Sequence, residues 1–386
     1  MRAGTVIGGY TLLEDFRVVG AGLSEWTFAV RDGREYFIKR FLSPTYPDDA
    51  APGSPATKTR KRARCAEFEA HHRGIQAALQ PVTSYGGNLI ATLDFFRAGA
   101  KYYKVTEKIG LAGLTADDVA GLAFPIRLVL LKTVAHSLKV LHSLDIVHSD
   151  LKPSNVLVKK TELGYTTKLI DFDSSYIVGS PPPPDEIVGT MNYYSPELVR
   201  YIQGADNASE LSTASDIFAL GLVYAEYLTG SLPAFDPAHR SAAIAVMNGA
   251  ELHLTPGGLP PGLVDLVDRM MRADPRDRPS VAQVHATLMA LPTGTATAAT
   301  KLRLPPPPIV GGGPHPSALR GKGLRLAGSP VPAAGGPALT PTKAAATPTA
   351  PAPTTGVVDG AAARADATIG RLMGRLLDKF EERRSR

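Results

Sequence analysis

At 386 residues, 44% of them apolar, the chain has material for one domain of about 250–300 residues with extra segments, or for two smaller domains. Its net charge of +6 is uneven: residues 1–292 carry 29 Lys and Arg against 31 Asp and Glu, residues 293–386 carry 13 against 5, so any attraction to acidic partners belongs to the tail. One cysteine, Cys65, excludes an intrachain disulfide and a cysteine-based metal cluster, no apolar run reaches the ~18 residues that cross a bilayer, and Glu14 and Asp15 arrive too early for a signal-peptide core, so a cytoplasmic chain with no transmembrane segment is expected.

From Tyr10 to Phe41 the pattern predicts three short strands, one ending at the glycines of VVGAG, then WTFAVR and REYFIKRF, with Asp32-Gly33 as the tight hairpin turn between the last two. A polar, Pro-containing loop over 43–57 leads into the basic run KTRKRAR (58–64). With no aromatics interleaved, that run is read as solvated linker rather than a nucleic-acid patch. A helix-like stretch, CAEFEAHHRGIQAAL, follows, with His71 and His72 on its surface or in the core. Residues 127–142 place Leu128, Leu131, Val134, Ala135, Leu138 and Leu141 on one helical face. SDIFALGLVYAEYLTG is a second, more apolar helix with Ser215 as N-cap and Gly230 as its stop. Strands first and helices later predict an α+β protein with two segregated lobes.

After Leu291 the composition turns to Pro, Ala, Gly and Thr, which cannot bury enough apolar surface to offset ordering entropy, so residues 293–358 are expected to be a disordered linker. In 359–386, Ile369, Leu372, Met373, Leu376, Leu377 and Phe380 recur at helical spacing among Arg and Lys, which predicts a basic amphipathic helix able to touch a partner or, weakly, an anionic membrane surface.

The chemistry centres on HSDLKPSNVL (148–157), followed sixteen residues after Asn155 by Asp171 in LIDFDSS. Phosphoryl transfer needs a carboxylate to orient the attacking hydroxyl, a cation near the transferred phosphate, and oxygen ligands for a divalent metal. Asp150 suits the first role, Lys152 the second, Asn155 with Asp171 the third, and Mg²⁺ (with Mn²⁺ as its alternative) accepts such a sparse set completed by phosphate oxygens. Upstream, Gly20 and Gly22 lie between two predicted strands, where backbone N–H groups can close over phosphates. Lys39 sits in the apolar strand YFIKRF, a costly place for a charge unless it is paired. Nucleotide phosphates and a helix carboxylate are its natural partners. Glu67 is the expected carboxylate, because Phe68, His71 and Ile75 then share an inward face; Glu69 is the alternative.

These residues resemble the eukaryotic-type serine/threonine protein kinase family, found in bacteria as well as eukaryotes, over residues 10–292. GTMNYYSPE (189–197) is similar to the family's substrate-docking loop and A-P-E end, SDIFALG to its D-x-W-x-x-G helix start, and Arg278 in RDRPS to the arginine that pairs with the A-P-E glutamate, here Glu197. The resemblance implies a bilobal protein-kinase fold, an antiparallel N-lobe sheet plus one helix and a mainly helical C-lobe, with ATP and Mg²⁺ as cofactors and proteins as substrates. It further implies that Thr106 is the gatekeeper, Glu107 to Ile109 the adenine hinge, Asp216 a brace for the catalytic loop, and Thr190 a mark of Ser/Thr specificity.

The sequence departs from the family at four positions. Ser149 replaces the H-R-D arginine, Glu25 the third glycine of the phosphate loop, Phe37 the V-A-I-K alanine, and Asp173 the D-F-G glycine, where it must take up the backbone that glycine allowed. Phe37, Glu25 and Asp173 speak for a pseudokinase scaffold. The intact set Lys39, Asp150, Asn155 and Asp171 speaks for an active enzyme. A small-molecule kinase of the aminoglycoside type shares H-x-D but lacks the S-P-E and RDRPS elements.

Overall fold

The computed structural model describes residues 1–18, 24–48, 52–83, 88–109, 113–162, 164–255 and 257–291. The glycines Gly20 and Gly22, the linker expected over 293–358 and the helix expected over 359–386 lie outside the described residues.

The chain begins with short strands β1 (Val6–Ile7), β2 (Tyr10–Leu12) and β3 (Arg17–Val18), then β4 (Ser24–Arg31) and β5 (Arg34–Phe41). Asp32 (φ 53°) and Gly33 (φ 73°) form the β4–β5 turn, both left-handed, as a two-residue hairpin on twisted strands requires. After α1 (Pro55–Thr83) come β6 (Asp94–Ala98) and β7 (Lys101–Glu107). These strands make one antiparallel sheet of order β1-β2-β4-β5-β7-β6, with β3 against β4. The expected first strand is thus broken into short pieces.

The helical lobe runs α2 (Ala116–Ala120), α3 (Phe124–His142), β8 (Ile146–Val147), β9 (Val156–Thr161), β10 (Gly164–Leu169), β11 (Tyr176–Ile177), α4 (Pro196–Ile202), α5 (Thr213–Thr229), α6 (Ala242–Met247), α7 (Pro261–Met270) and α8 (Val281–Ala290). β9 with β10 and β8 with β11 form two small antiparallel ribbons that carry the functional loops. The predicted apolar face of α3 is buried along its length. In α5 every side chain from Ser215 to Leu228 except Glu226 is buried, each Leu contributing roughly 1.5–3 kcal/mol of burial as an upper estimate. Gly230 (φ 81°) ends α5 as expected. Its N-cap is Ser212, which accepts from the Ala214 N–H, and not Ser215, whose hydroxyl is drawn away to Glu197.

Helix α1 is longer than its sequence pattern suggests. The basic run 58–64 is helical, not linker, because straight-chain Lys and Arg are good helix formers and Ser54 accepts the Thr57 N–H at the helix start. One sheet face buries Ile7, Tyr10, Leu12, Ala29, Ile38 and Val105. The other packs Phe41, Phe95 and Tyr102 against Cys65 and Phe68 of α1.

Candidate active site

The catalytic loop follows β8 and is fixed from below by α5. Asp216 is 1% exposed and accepts from the backbone N–H of His148 (2.7 Å) and of Ser149 (2.9 Å), and its Oδ2 lies 2.9 Å from His142 Nε2. These bonds hold Ser149 in the left-handed region (φ 68°), a backbone strain that only an over-determined loop sustains. His148 is fully buried, and its Nε2 lies 3.0 Å from the Ile170 carbonyl, tying the loop to the segment that ends at Asp171. Asp150 is then presented with its carboxylate already engaged. Lys152 Nζ donates to Oδ2 (2.7 Å), Asn155 Nδ2 to Oδ2 (3.1 Å), and the Thr190 N–H to Oδ1 (3.1 Å). Lys152 also donates to the Thr190 hydroxyl (2.7 Å). The structure therefore brings Asp150, Lys152, Asn155 and Thr190 together.

Lys39 lies on β5 with its ammonium on the cleft side, where Asp171 Oδ1 and Oδ2 are each 3.2 Å away and Asp173 Oδ2 is 2.6 Å away. The helix carboxylate expected to meet it does not. Glu67 is exposed on α1, and Glu69 accepts the Tyr102 hydroxyl (2.7 Å). The face that α1 turns inward carries Cys65, Phe68, His72 and Ile75, so Glu67 points away. Sequence reasoning also missed Lys104. It stands directly opposite Lys39 on β7, is only 4% exposed, and contacts both Asp171 and Asp173. A lysine two residues before Thr106, inside a run of apolar strand residues, was the signal available. Burial opposes charge on both Lys39 and Asp173, yet the opposite charges prevail: the aspartates hold the Lys39 ammonium above its ordinary range, and Lys104 with Lys39 holds the Asp173 carboxyl well below its own. Asp173 itself needs no left-handed backbone, since it sits in a single 3₁₀ turn. The left-handed residue is Asp171 (φ 63°), a type that tolerates this region.

Around Lys39 the sheet face is aromatic. Strand register puts Trp26 opposite Lys39 and Phe28 opposite Phe37, and Phe37 stacks on Trp26 with ring centres 5.5 Å apart. Glu25 falls on the opposite face and is paired with Arg40. It does not add acidity to the Lys39 side. Thr106, opposite Phe37, is nearly buried; Glu107, at the end of β7, accepts from Lys168 (2.8 Å), and Ile109 follows it, half-buried.

Residues 69–288 match the protein kinase domain family. The chain belongs to that family. The kinase domain is 27% identical over 287 residues to the serine/threonine-protein kinase PknD of Mycobacterium tuberculosis, covering 72% of this chain and 38% of that protein. It is similar also to the serine/threonine-protein kinase PknA of Corynebacterium glutamicum, 31% over 150 residues (38% of this chain, 30% of that one), and to mitogen-activated protein kinase kinase kinase 13 of Mus musculus, 33% over 164 residues (42% and 16%). The chain thus spans well under two thirds of these relatives' lengths. No helix among the described residues is long and apolar enough to cross a membrane.

Two further features order the kinase site. Glu197 and Arg278, both fully buried at the side chain, meet in a bidentate pair (2.8 and 2.9 Å), with Ser215 donating to Glu197 and Arg278 also donating to the carbonyls of Arg272, Ala273 and Ala214. Gly189 passes so close to the site that a Cβ there would lie 2.8 Å from the Tyr194 ring and 3.3 Å from Asp150 Oδ1. Gly189→Ala is therefore expected to shift the segment that donates to Asp150. A displacement below 1 Å at a reacting group suffices for a loss of about ten- to a hundredfold in turnover. Steady-state kinetics beside a thermal melt checks this, with turnover falling and the melting temperature nearly unchanged.

The residues fit a divalent metal. The Asn155 amide nitrogen is committed to the Asp150 backbone carbonyl (2.7 Å) and side chain, which leaves its Oδ1 as the atom for a ligand, and the Asp171 carboxylate is open to the cleft. Among the described residues no group of three or more His, Cys, Asp or Glu is gathered for a metal, so an ion held by Asn155 and Asp171 would complete its shell with nucleotide and water oxygens, as Mg²⁺ does.

Proposed function

We propose that the chain is an ATP-dependent serine/threonine protein kinase, with a kinase domain over residues 10–292, that transfers the γ-phosphoryl group to protein Ser and Thr hydroxyls and also phosphorylates itself. The observation that carries this reading is the engaged carboxylate of Asp150, held by Lys152, Asn155 and Thr190; two of these, Lys152 and Thr190, also line a groove of about 390 Å³ with Tyr193 and Glu226. Asp150 would orient an acceptor hydroxyl and take its proton as the new O–Pγ bond forms and the bond from Pγ to the ADP oxygen breaks. Lys152 would stand beside the transferred group and Lys39 on the nucleotide phosphates. Thr106, Glu107 and Ile109 would line the adenine side, and Gly20 and Gly22 would cover the phosphates. A bound Mg²⁺ would neutralise charge on the phosphate oxygens. A non-catalytic scaffold is the second reading, favoured by the aromatic group Trp26, Phe28 and Phe37 on the same sheet face as Lys39, where Phe37 stands in the place of the family's alanine. Phosphoamino-acid analysis of a general protein substrate incubated with the chain and Mg-ATP separates the readings. Phosphoserine and phosphothreonine support the kinase, phosphotyrosine alone contradicts its specificity, and no product with nucleotide bound supports the scaffold.

The tail offers Thr340, Thr342, Thr347, Thr349, Thr354 and Thr355 in a basic, Pro-rich segment. Because these threonines are on the same chain as the kinase domain, they are presented to it at a higher effective concentration than a free substrate. Autophosphorylation there is expected, giving phosphothreonines that a binding domain could read through arginine contacts. Phosphosite mapping after incubation with Mg-ATP checks it. Modification confined to residues before 293 would remove the substrate role of the tail.

A further inference from the structure

Two lysines directly opposite on neighbouring strands repel one another, and an ammonium as buried as that of Lys104 is sustained only by opposite charge. Here Lys39 and Lys104 are such a pair, and Asp171 and Asp173 each touch both, closing a ring of alternating charge: Asp171 lies 3.2 Å from Lys39 and 3.3 Å from Lys104, Asp173 lies 2.6 Å from Lys39 and in contact with Lys104. Asp171 is the more open member, with 32% of its side chain exposed, and Asp173 the less open, at 17%. A metal and nucleotide would draw on Asp171 and leave Asp173 as the partner of Lys39. Helix α1 offers no substitute. Beside Asp173 it places His72, whose imidazole burial pushes down to about 3, so it is neutral near pH 7, and its ring stacks on Phe95.

We infer that Asp173, clamped by Lys104, is the carboxylate that positions Lys39 for the nucleotide phosphates, so that Lys104 and Asp173 form a positioning pair on the sheet and the D-F-D turn, independent of any acidic residue of α1. This rests on the kinase reading above. Its consequence is that the Lys39 site stays assembled without a charged contact from α1, and that a glycine in place of Asp173 removes function rather than restoring it.

The test measures ATP dissociation constants on the full chain by calorimetry, without and with Mg²⁺, together with kcat and KM for transfer and a thermal melt. Asp173→Asn, Asp173→Gly and Lys104→Met are each expected to weaken ATP binding in the presence of Mg²⁺ about tenfold or more by releasing Lys39, and to weaken it less without Mg²⁺, where Asp171 still holds Lys39, with Lys104→Arg within about threefold of the parent and Glu67→Gln within about twofold. The double variant Asp173→Asn with Lys104→Met is expected to regain melting temperature over Asp173→Asn alone, because it removes the unbalanced cation, without regaining ATP affinity. Nucleotide affinity unchanged in Asp173→Asn, or raised activity in Asp173→Gly, would overturn the inference, the latter by making the ring an inhibitory clamp. Parent protein that binds ATP but transfers nothing would defeat the kinase reading while the binding data still decide the role of Asp173. Parent protein that binds no ATP would defeat both.

Discussion

Asp150→Asn and Lys39→Met are each expected to abolish phosphoryl transfer while leaving the fold intact. Asparagine keeps the size of Asp150 but offers one acceptor oxygen in place of two, so it retains either the bonds from Lys152 and Asn155 or the bond from the Thr190 N–H, and it cannot take the proton of the acceptor hydroxyl. General-base and charge-stabilising groups typically contribute 10²–10⁴-fold each, about 3–5 kcal/mol of barrier. Methionine in place of Lys39 keeps the buried stem and removes the cation that faces Asp171 and Asp173. Initial rates with a protein substrate, beside a thermal melt, give the answer. Residual activity above about a tenth of the parent in either variant, less than ~1.4 kcal/mol of lost stabilisation, would contradict the assigned roles.

The second large effect concerns stability. Glu197→Gln or Arg278→Met leaves one charge of a fully enclosed pair without its partner, a change that costs about 3–5 kcal/mol in comparable buried pairs. For a domain of this size that corresponds to a fall in melting temperature of roughly 6–20 °C. Glu197→Leu combined with Arg278→Met is expected to cost less than the sum of the single changes, since no charge is stranded. The pair also sets a pH dependence. Burial pushes the Glu197 carboxyl up, and the hydrogen bonds and charge of Arg278 more than reverse this, so its folded-state pKa lies below the ordinary value. Its contribution is therefore complete above the unfolded carboxylate range and is lost as pH falls through that range toward the folded value. Denaturant melts between pH 7 and the acid range check both. A single variant within ~1 kcal/mol of the parent would remove the pair from the list of principal supports.

The sequence pattern was most informative where chemistry is written at short range. The spacing within 148–157 fixes a loop in which Asp150, Lys152 and Asn155 must be neighbours, and Asp32-Gly33 leaves little choice but a tight turn. The periodic face of α3 and the glycine stop of α5 were legible for the same reason. Partners chosen in three dimensions were not. Which residue meets Lys39 depends on the rotation of α1 about its axis, and an aromatic inward face built on Phe68 and His72 turned Glu67 outward. The role of Glu25 depended on strand register, where a single position decides the face. Lys104 could be seen as costly in an apolar strand, but its balance by Asp173 appears only once β7 and the D-F-D turn are brought together. Ser215 reads as an N-cap because serine favours that position, but the buried Glu197 carboxylate takes its hydroxyl.

Whether Asp150 and its neighbours transfer phosphate is asked directly by intact-mass spectrometry of the purified chain before and after incubation with Mg-ATP and a general protein substrate. The expected result is mass increments of single phosphoryl groups on the chain and on the substrate, mapped to Ser and Thr and absent from the Asp150→Asn variant. No increment on either protein, under conditions where ATP is shown to bind, would contradict it and make the domain a nucleotide-binding scaffold.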